Sequence, residues 1–442
     1  MSHKIAVVGL GYVGLPLAVA LAKYFDVTGF DIDAARIDEL NRGIDRTDEV
    51  SKKGLQDSTI TLTDDLEALR GSDIFIITVP TPVTDQNKPD LTPLERASKS
   101  ISKVLQKGNI VVYESTVYPG VTEDFCAPIL EKETGLKAGE DFYLGYSPER
   151  MNPGDKDHNI YTLTKVVSGQ TPAVTKLLAD MYGKVNNGNV FCAADIRTAE
   201  AAKVIENAQR DINIAFINEV TMIFNKMDIS IHDVLAAAQT KWNFLPFTPG
   251  LVGGHCIGVD PYYLAESAKG LGHNPEVILS GRRINDSMGH FIAERVHEKL
   301  KSILSYGKSG RILVLGLTFK ENVPDLRNTR VIDIIKTLES FGHKTDVHDA
   351  YAASAEAKEH YGIELISETL MSRKSAQAVG QTHSSQSSDA YDCVLLAVPH
   401  DQYCNLPSET INGLLREGGL LVDIKGTWKE KELCDSFHLW TL

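Results

Sequence analysis

Residues 4–14 read KIAVVGLGYVG, where a β-branched run leads into a turn that contains Gly9, Gly11 and Gly14. A helix-like apolar segment from Leu15 to Tyr24 follows directly. In such a strand–turn–helix unit the first glycine permits the tight turn and the second lets the backbone approach a pyrophosphate. The third lets helix and strand pack closely, and the helix N-terminus presents unpaired N–H groups to the phosphates. The stretch therefore predicts a dinucleotide-binding domain.

Asp31 bears on the choice of dinucleotide. It ends a second strand-like stretch, residues 26–30, twenty residues beyond Gly11. A carboxylate at this place accepts hydrogen bonds from the adenosine ribose, and its charge repels a 2′-phosphate. We therefore expect NAD rather than NADP, although the same carboxylate could instead cap a turn.

Strand-like and helix-like stretches then alternate. Residues 73–79 and 109–113 are predicted strands, and a helix is predicted after Thr92. This alternation predicts a parallel, doubly wound sheet whose ligands lie beyond the carboxyl ends of its strands. Thr81 and Thr116 follow two such ends and could contact the cofactor, although threonine there often caps a helix instead.

Two further stretches continue this half of the chain. Residues 143–153, YLGYSPERMNP, are predicted to include a loop that carries Glu149 and Arg150 between prolines. A helical pattern from about 198 to 227 would span roughly 40 Å, enough to link two domains and carry a dimer contact. Lys203 and Asn207 lie four residues apart on one face of that helix, either as a solvated stripe or facing a partner.

A second set of strands begins at Ile312 and predicts another doubly wound sheet. Later strands are predicted at 344–348, 392–398 and 419–424. Only Gly316 remains of the glycine fingerprint, so this sheet should bind something other than a dinucleotide. Basic residues follow its first strand and could bind an anion or form a solvated cluster; they are Lys320, Arg327 and Arg330. The polar tract 381–388, QTHSSQSS, is predicted to be a loop.

These patterns predict an α/β protein with two doubly wound, Rossmann-like domains joined by a long central helical linker. The predicted boundaries are 1–196 for the dinucleotide domain, 197–305 for the linker and 306–442 for the second domain.

The stretch 251–264, LVGGHCIGVDPYYL, contains a candidate nucleophile, Cys256. Gly253 and Gly254 carry no side chains that would block the approach of a substrate to a nearby thiol. The alternative is a small buried hydrophobic residue, as most unpaired cysteines are. Asp260 lies four residues beyond the cysteine.

Composition excludes several classes of protein. The 442 residues carry a formal net charge of −14, which argues against non-specific nucleic-acid binding. The six cysteines show neither metal-ligand spacing nor a disulfide pattern, so no metal site is predicted. The sequence shows neither a signal-peptide pattern nor an apolar run of membrane-spanning length. We therefore expect a cytoplasmic protein with neither a nucleic-acid nor a membrane partner.

Taken together, the motifs resemble the UDP-glucose/GDP-mannose dehydrogenase family along the whole chain. The matching segments are GLGYVGLP at 9–16, STVYPG at 115–120, SPER at 147–150, AEAAKVIEN at 199–207, GGHCIGVDP at 253–261 and FKENVPDLRNTR at 319–330. Within the family the chain looks most similar to bacterial UDP-N-acetylhexosamine 6-dehydrogenases, which make hexosaminuronic acids for surface polysaccharides.

The resemblance implies a four-electron oxidation of the sugar C6 alcohol to a carboxylate with two NAD⁺, in a homodimer. Cys256 would be the nucleophile, Lys203 and Asn207 would stabilise the oxyanion, and Asp260 would assist proton transfer. Glu149, or a water ordered with Thr116, would serve hydrolysis. The implied cofactor-binding residues are Gly9, Gly11, Tyr12, Val13, Gly14, Asp31, Arg36, Thr81, Thr116 and Arg327. The implied residues for the UDP-sugar are Glu149, Arg150, Lys203, Asn207, Arg210, Gly253 and Lys320.

Departures from the family's patterns narrow the sugar. UDP-glucose dehydrogenases typically carry lysine where this chain has Val259, and a second acid where it has Pro153. The N-acetylmannosamine branch usually shows a His-x-Arg pair upstream of GGHC, where residues 241–250 read KWNFLPFTPG. We therefore expect UDP-GlcNAc or UDP-GalNAc, with UDP-ManNAc or UDP-glucose as the alternatives.

Two other classes fit the sequence less well. A two-electron hydroxyacid or phosphogluconate-type dehydrogenase needs neither a thiol nor a second nucleotide-sized domain. A non-catalytic nucleotide-binding protein would have no use for Lys203, Asn207, Cys256 and Asp260 together.

Overall fold

The computed structural model describes residues 3–84, 86–151, 159–254, 257–305, 307–367 and 390–442. Cys256 and the tract 381–388 therefore lie outside the described residues. The chain divides into two compact units. The first comprises Met1–Ala208 and Val259–Pro275, and the second comprises Gln209–Gly258 and Glu276–Leu442.

The first unit is built on an eight-stranded sheet with strand order β3-β2-β1-β4-β5-β6-β7-β8. All of its paired strands are parallel except β6 and β7. The strands are β1 Lys4–Val8, β2 Asp26–Phe30, β3 Thr61–Thr63, β4 Ile74–Ile77, β5 Ile110–Tyr113, β6 Tyr143–Tyr146, β7 Lys165–Gly169 and β8 Val190–Cys192. From β1 the strands β2 and β3 are added on one side, and from β4 onward strands are added on the other side. An open α/β sheet offers a ligand crevice at this switch point between β1 and β4.

Helices cover both faces of this sheet. Successive residues of β1 point into opposite cores, since Ile5 and Val7 pack in one and Ala6 and Val8 in the other. The helices are α1 Gly14–Ala22, α2 Ala34–Asn41, α3 Lys52–Gln56, α4 Thr92–Ser102, α5 Ala127–Thr134 and α6 Pro172–Val185, with a 3₁₀ helix at Leu66–Leu69 and a π-helix at Val121–Cys126. This doubly wound architecture confirms the predicted fold class.

The long helix α7, Ile196–Asn225, begins in the first unit and ends in the second. The prediction of 198–227 placed it within two residues at each end. The chain continues through α8 Ile231–Ala238, α9 Asp260–Gly270 and α10 Glu276–Ile303.

The second unit contains a five-stranded parallel sheet with strand order β10-β9-β11-β12-β13. Its strands are β9 Arg311–Leu315, β10 Lys344–His348, β11 Tyr391–Leu396, β12 Leu415–Asp423 and β13 His438–Thr441. Its helices are α11 Val331–Ser340, α12 Ser354–Tyr361, α13 Asp401–Cys404 and α14 Ser408–Leu414. Ile312 and Val314 pack in one core and Leu313 and Leu315 in another, so this sheet is also covered on both faces.

No strand of the first sheet was predicted beyond β5, whereas the structure has β6, β7 and β8. Residues 143–146, in the stretch 143–153 that was predicted to include a loop, form strand β6. A Cβ on Gly145 in β6 would lie 2.5 Å from Leu178 on α6. The glycine is required because the helix packs directly on the strand. Separately, no helix among the described residues is long and apolar enough to cross a lipid bilayer.

Candidate active site

The glycine-rich turn after β1 has the geometry that its sequence predicts. Gly9 adopts φ +96° and its amide donates to Phe30 O at 2.8 Å. A Cβ on Gly14 would lie 1.8 Å from Gly9 O, so only glycine fits where α1 meets the turn. A Cβ on Gly11, in contrast, would meet no atom within 4 Å. The open space over Gly11 fits the approach of a pyrophosphate to the backbone.

Asp31 clamps this turn from the end of β2. Its Oδ2 accepts the Leu10 amide at 2.7 Å and its Oδ1 accepts the Asp33 amide at 3.0 Å. The turn-capping interpretation of Asp31 thus describes its contacts within the chain. A carboxylate has about four acceptor sites, so two remain for ribose hydroxyls.

Arg36, predicted to bind the cofactor, is buried behind the turn. Its Nε donates to Leu10 O at 3.0 Å, and its Nη2 pairs with Asp45 at 2.7 Å. Its Nη1 is buried without a hydrogen-bond partner among the described residues. The Nε donor therefore supports the turn, the pair with Asp45 fixes the guanidinium, and a role for Arg36 in cofactor binding stays a prediction.

The remaining predicted cofactor residues of the first unit follow β1, β4 and β5. Tyr12 and Val13 lie between Gly11 and the first residues of α1. Thr81 lies four residues beyond the last residue of β4, and Thr116 lies three residues beyond the last residue of β5. Carboxyl ends of adjacent parallel strands meet at one edge of a sheet, so the fold brings these segments to the same edge.

Lys203 and Asn207 share one buried face of α7, as predicted. Asn207 Nδ2 donates to Asp260 Oδ2 on α9 at 2.5 Å. Burial raises the pKa of Asp260 to about 6, against the opposing effects of the Lys203 charge and the Asn207 hydrogen bond. Lys203 is itself only 7% exposed, and its charge acts on Asp260. The cluster therefore offers a cation, an amide and a proton-exchanging carboxyl group to a ligand.

Glu149 is held from two sides. Its Oε1 accepts the amides of Arg150, at 2.6 Å, and Met151. Its Oε2 lies 3.4 Å from Lys165 Nζ, which also pairs with Glu114 Oε2 at 2.6 Å. The sequence analysis did not identify Lys165 and Glu114. They lie 51 positions apart in the chain, so no local motif indicates that their side chains meet.

Arg150, predicted to bind substrate, lies against α7. Its guanidinium pairs with Glu206 at 2.8 Å and donates to Thr164 O at 3.0 Å. These contacts tie the loop after β6 to the helix that carries Lys203.

Glu200 is another buried carboxylate that sequence reading missed. It accepts the amides of Gly120 at 2.5 Å and Thr122 at 2.9 Å, at the start of the π-helix. Burial raises its pKa to about 7 despite these hydrogen bonds. Glu200 therefore fixes the segment after β5, which contains Thr116, against the first turns of α7.

In the second unit, a cavity lies at the carboxyl ends of β9, β11 and β12. Its lining includes Phe319, Lys320, Val398 and Lys425. Gly253 also lines it, and a Cβ on that residue would lie 2.7 Å from Asn328 O. The cavity lies where a parallel sheet binds its ligands, and it brings together the predicted UDP-sugar residues Gly253 and Lys320.

The segment that leads to Cys256 is anchored within the second unit. Asn218 on α7 both donates to Gly250 O at 3.0 Å and accepts the Gly250 amide at 2.9 Å. Asn328 Nδ2 donates to Gly254 O at 3.3 Å. The backbone up to Gly254 is therefore fixed by two amide side chains.

Arg327 and Arg330, which were predicted to bind an anion, form ion pairs with carboxylates of the chain. Arg327 Nη2 lies 2.6 Å from Asp325 Oδ2, and Arg330 pairs with Asp286 and with Asp333. Arg210 is exposed on α7. A role for Arg327 or Arg210 in ligand binding stays a prediction.

The turn after β9 makes the same backbone and carboxylate hydrogen bonds as the turn after β1. The Gly316 amide donates to His348 O at 2.8 Å, as the Gly9 amide does to Phe30 O. Asp349 Oδ2 accepts the Leu317 amide at 2.5 Å, as Asp31 accepts that of Leu10. Asp349 also accepts the amides of Thr318, Tyr351 and Ala352 and lies 3.1 Å from His400 Nε2.

Family models match nearly all of the chain in three consecutive parts. The NAD binding domain of the UDP-glucose/GDP-mannose dehydrogenase family matches residues 3–186, its central domain 197–287 and its UDP binding domain 313–430. The chain belongs to this family. The cofactor of this dehydrogenase is therefore NAD, and its substrate is a UDP-sugar.

Individual relatives of this dehydrogenase match over its full length. Protein CapL of Staphylococcus aureus is 51% identical over 100% of both chains. The UDP-N-acetyl-D-glucosamine 6-dehydrogenase of Pseudomonas aeruginosa is 49% identical over 96% of both. Among solved structures, the UDP-D-ManNAc dehydrogenase of Pyrococcus horikoshii has a TM-score of 0.84 at 30% identity, covering 99% of this chain and 98% of that one. The structural match confirms the prediction of two Rossmann-like domains joined by a central helix.

Proposed function

We propose that the protein oxidises the C6 alcohol of a UDP-N-acetylhexosamine to the carboxylate, with UDP-GlcNAc as the preferred substrate. The observation that carries this choice is the 49% identity, over 96% of both chains, to the UDP-N-acetyl-D-glucosamine 6-dehydrogenase. UDP-GalNAc, which differs only at C4, is the next choice. A UDP-ManNAc dehydrogenase shares the fold at the lower identity of 30%, so UDP-ManNAc is the second candidate.

The first oxidation converts the alcohol to an aldehyde. NAD, when bound, supplies the hydride acceptor for both oxidations. A base must take the hydroxyl proton as the hydride leaves, and Asp260 is suited to proton transfer because its pKa of about 6 lies near neutrality. The Lys203 ammonium and the Asn207 amide stabilise negative charge that develops on the C6 oxygen. One such donor is worth about 10²–10³ in rate.

The second oxidation requires a covalent nucleophile. The Cys256 thiolate adds to the aldehyde carbon and gives a thiohemiacetal, from which loss of hydride gives a thioester. Water then cleaves the thioester and releases the uronate. We assign Glu149, with a water ordered by Thr116, to this hydrolysis.

Gly253 and Lys320, which line the cavity of the second unit, stay predicted residues for the UDP-sugar, as do Glu149, Arg150 and Arg210. We propose three functional regions: 1–196 for NAD, 197–305 for the central linker and 306–442 for UDP. We further propose a cytoplasmic homodimer that acts in the synthesis of a surface polysaccharide.

A substrate panel tests the proposed function. UDP-GlcNAc, UDP-GalNAc, UDP-ManNAc and UDP-glucose are compared by kcat/KM from NADH absorbance, with the molar yield of NADH per sugar. UDP-GlcNAc should give the highest kcat/KM and two NADH per sugar. A preference for UDP-ManNAc or UDP-glucose would contradict the sugar assignment, and a yield of one NADH would contradict the four-electron reaction.

A further inference from the structure

The buried group around Lys165 contains more ionisable side chains than the proposed mechanism uses. Lys165 is the first residue of β7, and its side chain is 10% exposed. Glu114, directly after β5, has a fully buried side chain and accepts a hydrogen bond from the Tyr182 hydroxyl. Glu149 is the third member and is 13% exposed. A buried ammonium and one carboxylate would already balance in charge, so the second carboxylate requires a reason.

The two oxygens of Glu149 are fixed by different partners. The amides of Arg150 and Met151 hold Oε1, and the Lys165 ammonium, 3.4 Å away, faces Oε2. Glu114 in turn fixes the ammonium at 2.6 Å. The flanking carboxylates raise the pKa of Lys165, although burial opposes this, so Lys165 stays protonated.

Two carboxylates and a phenol interact electrostatically with Glu149, namely Glu49, Glu114 and Tyr182. Burial, together with the charges of Asp45, Asp48 and Glu149, raises the pKa of Glu49 to about 7. Acidic side chains therefore surround Glu149. Lys165 is the cation that offsets them.

We infer that Lys165 is a positioning residue, whose ammonium holds Glu149 oriented to accept a proton from the water that hydrolyses the thioester. This inference rests on the proposed function. In the step itself, the water oxygen bonds to the thioester carbon, the C–S bond breaks and the Cys256 sulfur leaves as a thiolate. Glu149 takes one water proton and passes it to solvent, and the new carboxylic acid ionises. No electrons are exchanged.

The test removes the buried ion pair between Lys165 and Glu114 without changing the net charge of the group. The double variant Glu114→Gln/Lys165→Met retains both hydride transfers, so the first turnover should still release a burst of two NADH per site. Steady-state kcat should then fall about ten-fold or more, approaching the roughly 10²–10⁴-fold that a general base contributes. KM for the UDP-sugar should fall with kcat, and mass spectrometry should detect the sugar nucleotide accumulating on the enzyme.

Three further variants separate positioning from packing. Lys165→Arg retains the cation and should recover most of the steady-state rate. Lys176→Met removes an exposed, paired lysine on α6 and should behave as wild type. Glu149→Gln should also accumulate the adduct, and adding it to the double variant should cause little further loss, because both changes act through one group.

Several outcomes would overturn the inference. These are near wild-type kcat in the double variant, parallel loss of burst and steady state without an adduct, or no recovery with Lys165→Arg. Additive losses with Glu149→Gln would also overturn it. Wild-type turnover and NADH yield on UDP-GlcNAc report separately on the proposed function.

Discussion

Asn207 donates a hydrogen bond of 2.5 Å to Asp260, which joins α7 to the first residue of α9. Asp260 is 2% exposed, so its charged form lacks hydration, and burial raises its pKa from 3.8 to about 6. An acid with a raised folded pKa favours its protonated form in the native state. Burial of Asp260 therefore links proton exchange at this carboxyl group to the stability of the fold.

Asp260→Asn should stabilise the protein at neutral pH. Between pH 3.8 and about 6 the folded chain holds a proton that the unfolded chain has lost, so stability falls as pH rises through this window. Asparagine mimics the protonated acid and removes this loss, on the order of 1–3 kcal/mol, since one pKa unit corresponds to about 1.4 kcal/mol. Thermal unfolding at pH 5 and pH 8 measures the effect.

The same variant should lose turnover, because asparagine cannot exchange the proton. Asp57→Asn, at an exposed position, is the matched control and should change neither Tm nor kcat. A lower Tm than wild type at pH 8 would contradict the expected sign.

Gly11→Ala and Gly14→Ala should separate cofactor binding from folding. A methyl on Gly11 meets no atom of the chain within 4 Å, so Tm should be unchanged while the Kd for NAD rises roughly ten-fold or more, a cost of about 1.4 kcal/mol or more. A methyl on Gly14 would lie 1.8 Å from Gly9 O, and overpacking of this kind costs about 1–3 kcal/mol of stability. Calorimetric titration and thermal unfolding measure the two effects. Tight NAD binding by Gly11→Ala would exclude the predicted pyrophosphate position.

Cys256→Ala should separate the two oxidations. The variant should bind NAD and the UDP-sugar and should still reduce a supplied UDP-hexosaminuronaldehyde with NADH, because that step needs no thiol. Uronate production should fall by several orders of magnitude, as expected when a covalent nucleophile is lost. Uronate is quantified by chromatography. Formation at near wild-type rate would make Cys256 a packing residue.

An exposed apolar stripe on α7 should form the homodimer contact. Phe216 is 59% exposed and Ile223 49%, and their spacing of seven residues places them on one side of α7. Met227, which is 59% exposed, lies two residues beyond the end of the helix. Light scattering should give a dimeric mass at micromolar protein, and Phe216→Glu/Ile223→Glu should give a monomer. Leu271→Glu, at an exposed apolar position elsewhere, should remain dimeric. A monomeric wild type would refute the assembly.

The sequence predicted those features that depend on local spacing. The strands 26–30 and 344–348 coincide with β2 and β10, because each is a short run bounded by turns or charges. Lys203 and Asn207 share a face because a helix repeats every 3.6 residues, and the structure confirms this. The glycine fingerprint succeeded for the same reason.

Features that depend on distant contacts were not predictable. Glu200 binds amides 78 and 80 residues away, and Lys165 reaches Glu114 across 51 residues. Arg36 was assigned to the cofactor from the family, but its support of Leu10 depends on Asp45, which no motif includes. Burial of such groups is decided by packing of the whole unit, and a single sequence does not display it.

The environment of Asp349 sets a limit on redesign of the second sheet. Thr318 and Glu321 follow Gly316 at the spacings that Gly11 and Gly14 have from Gly9, so two substitutions would restore the glycine pattern. Asp349, however, already receives four backbone amides and the His400 ring, which uses the acceptor capacity of a carboxylate. A ribose would find no acceptor there. Substituting glycine for Thr318 and Glu321 alone would therefore not create a dinucleotide-binding turn. A second coenzyme pocket would also require a redesigned loop around Asp349 and His400.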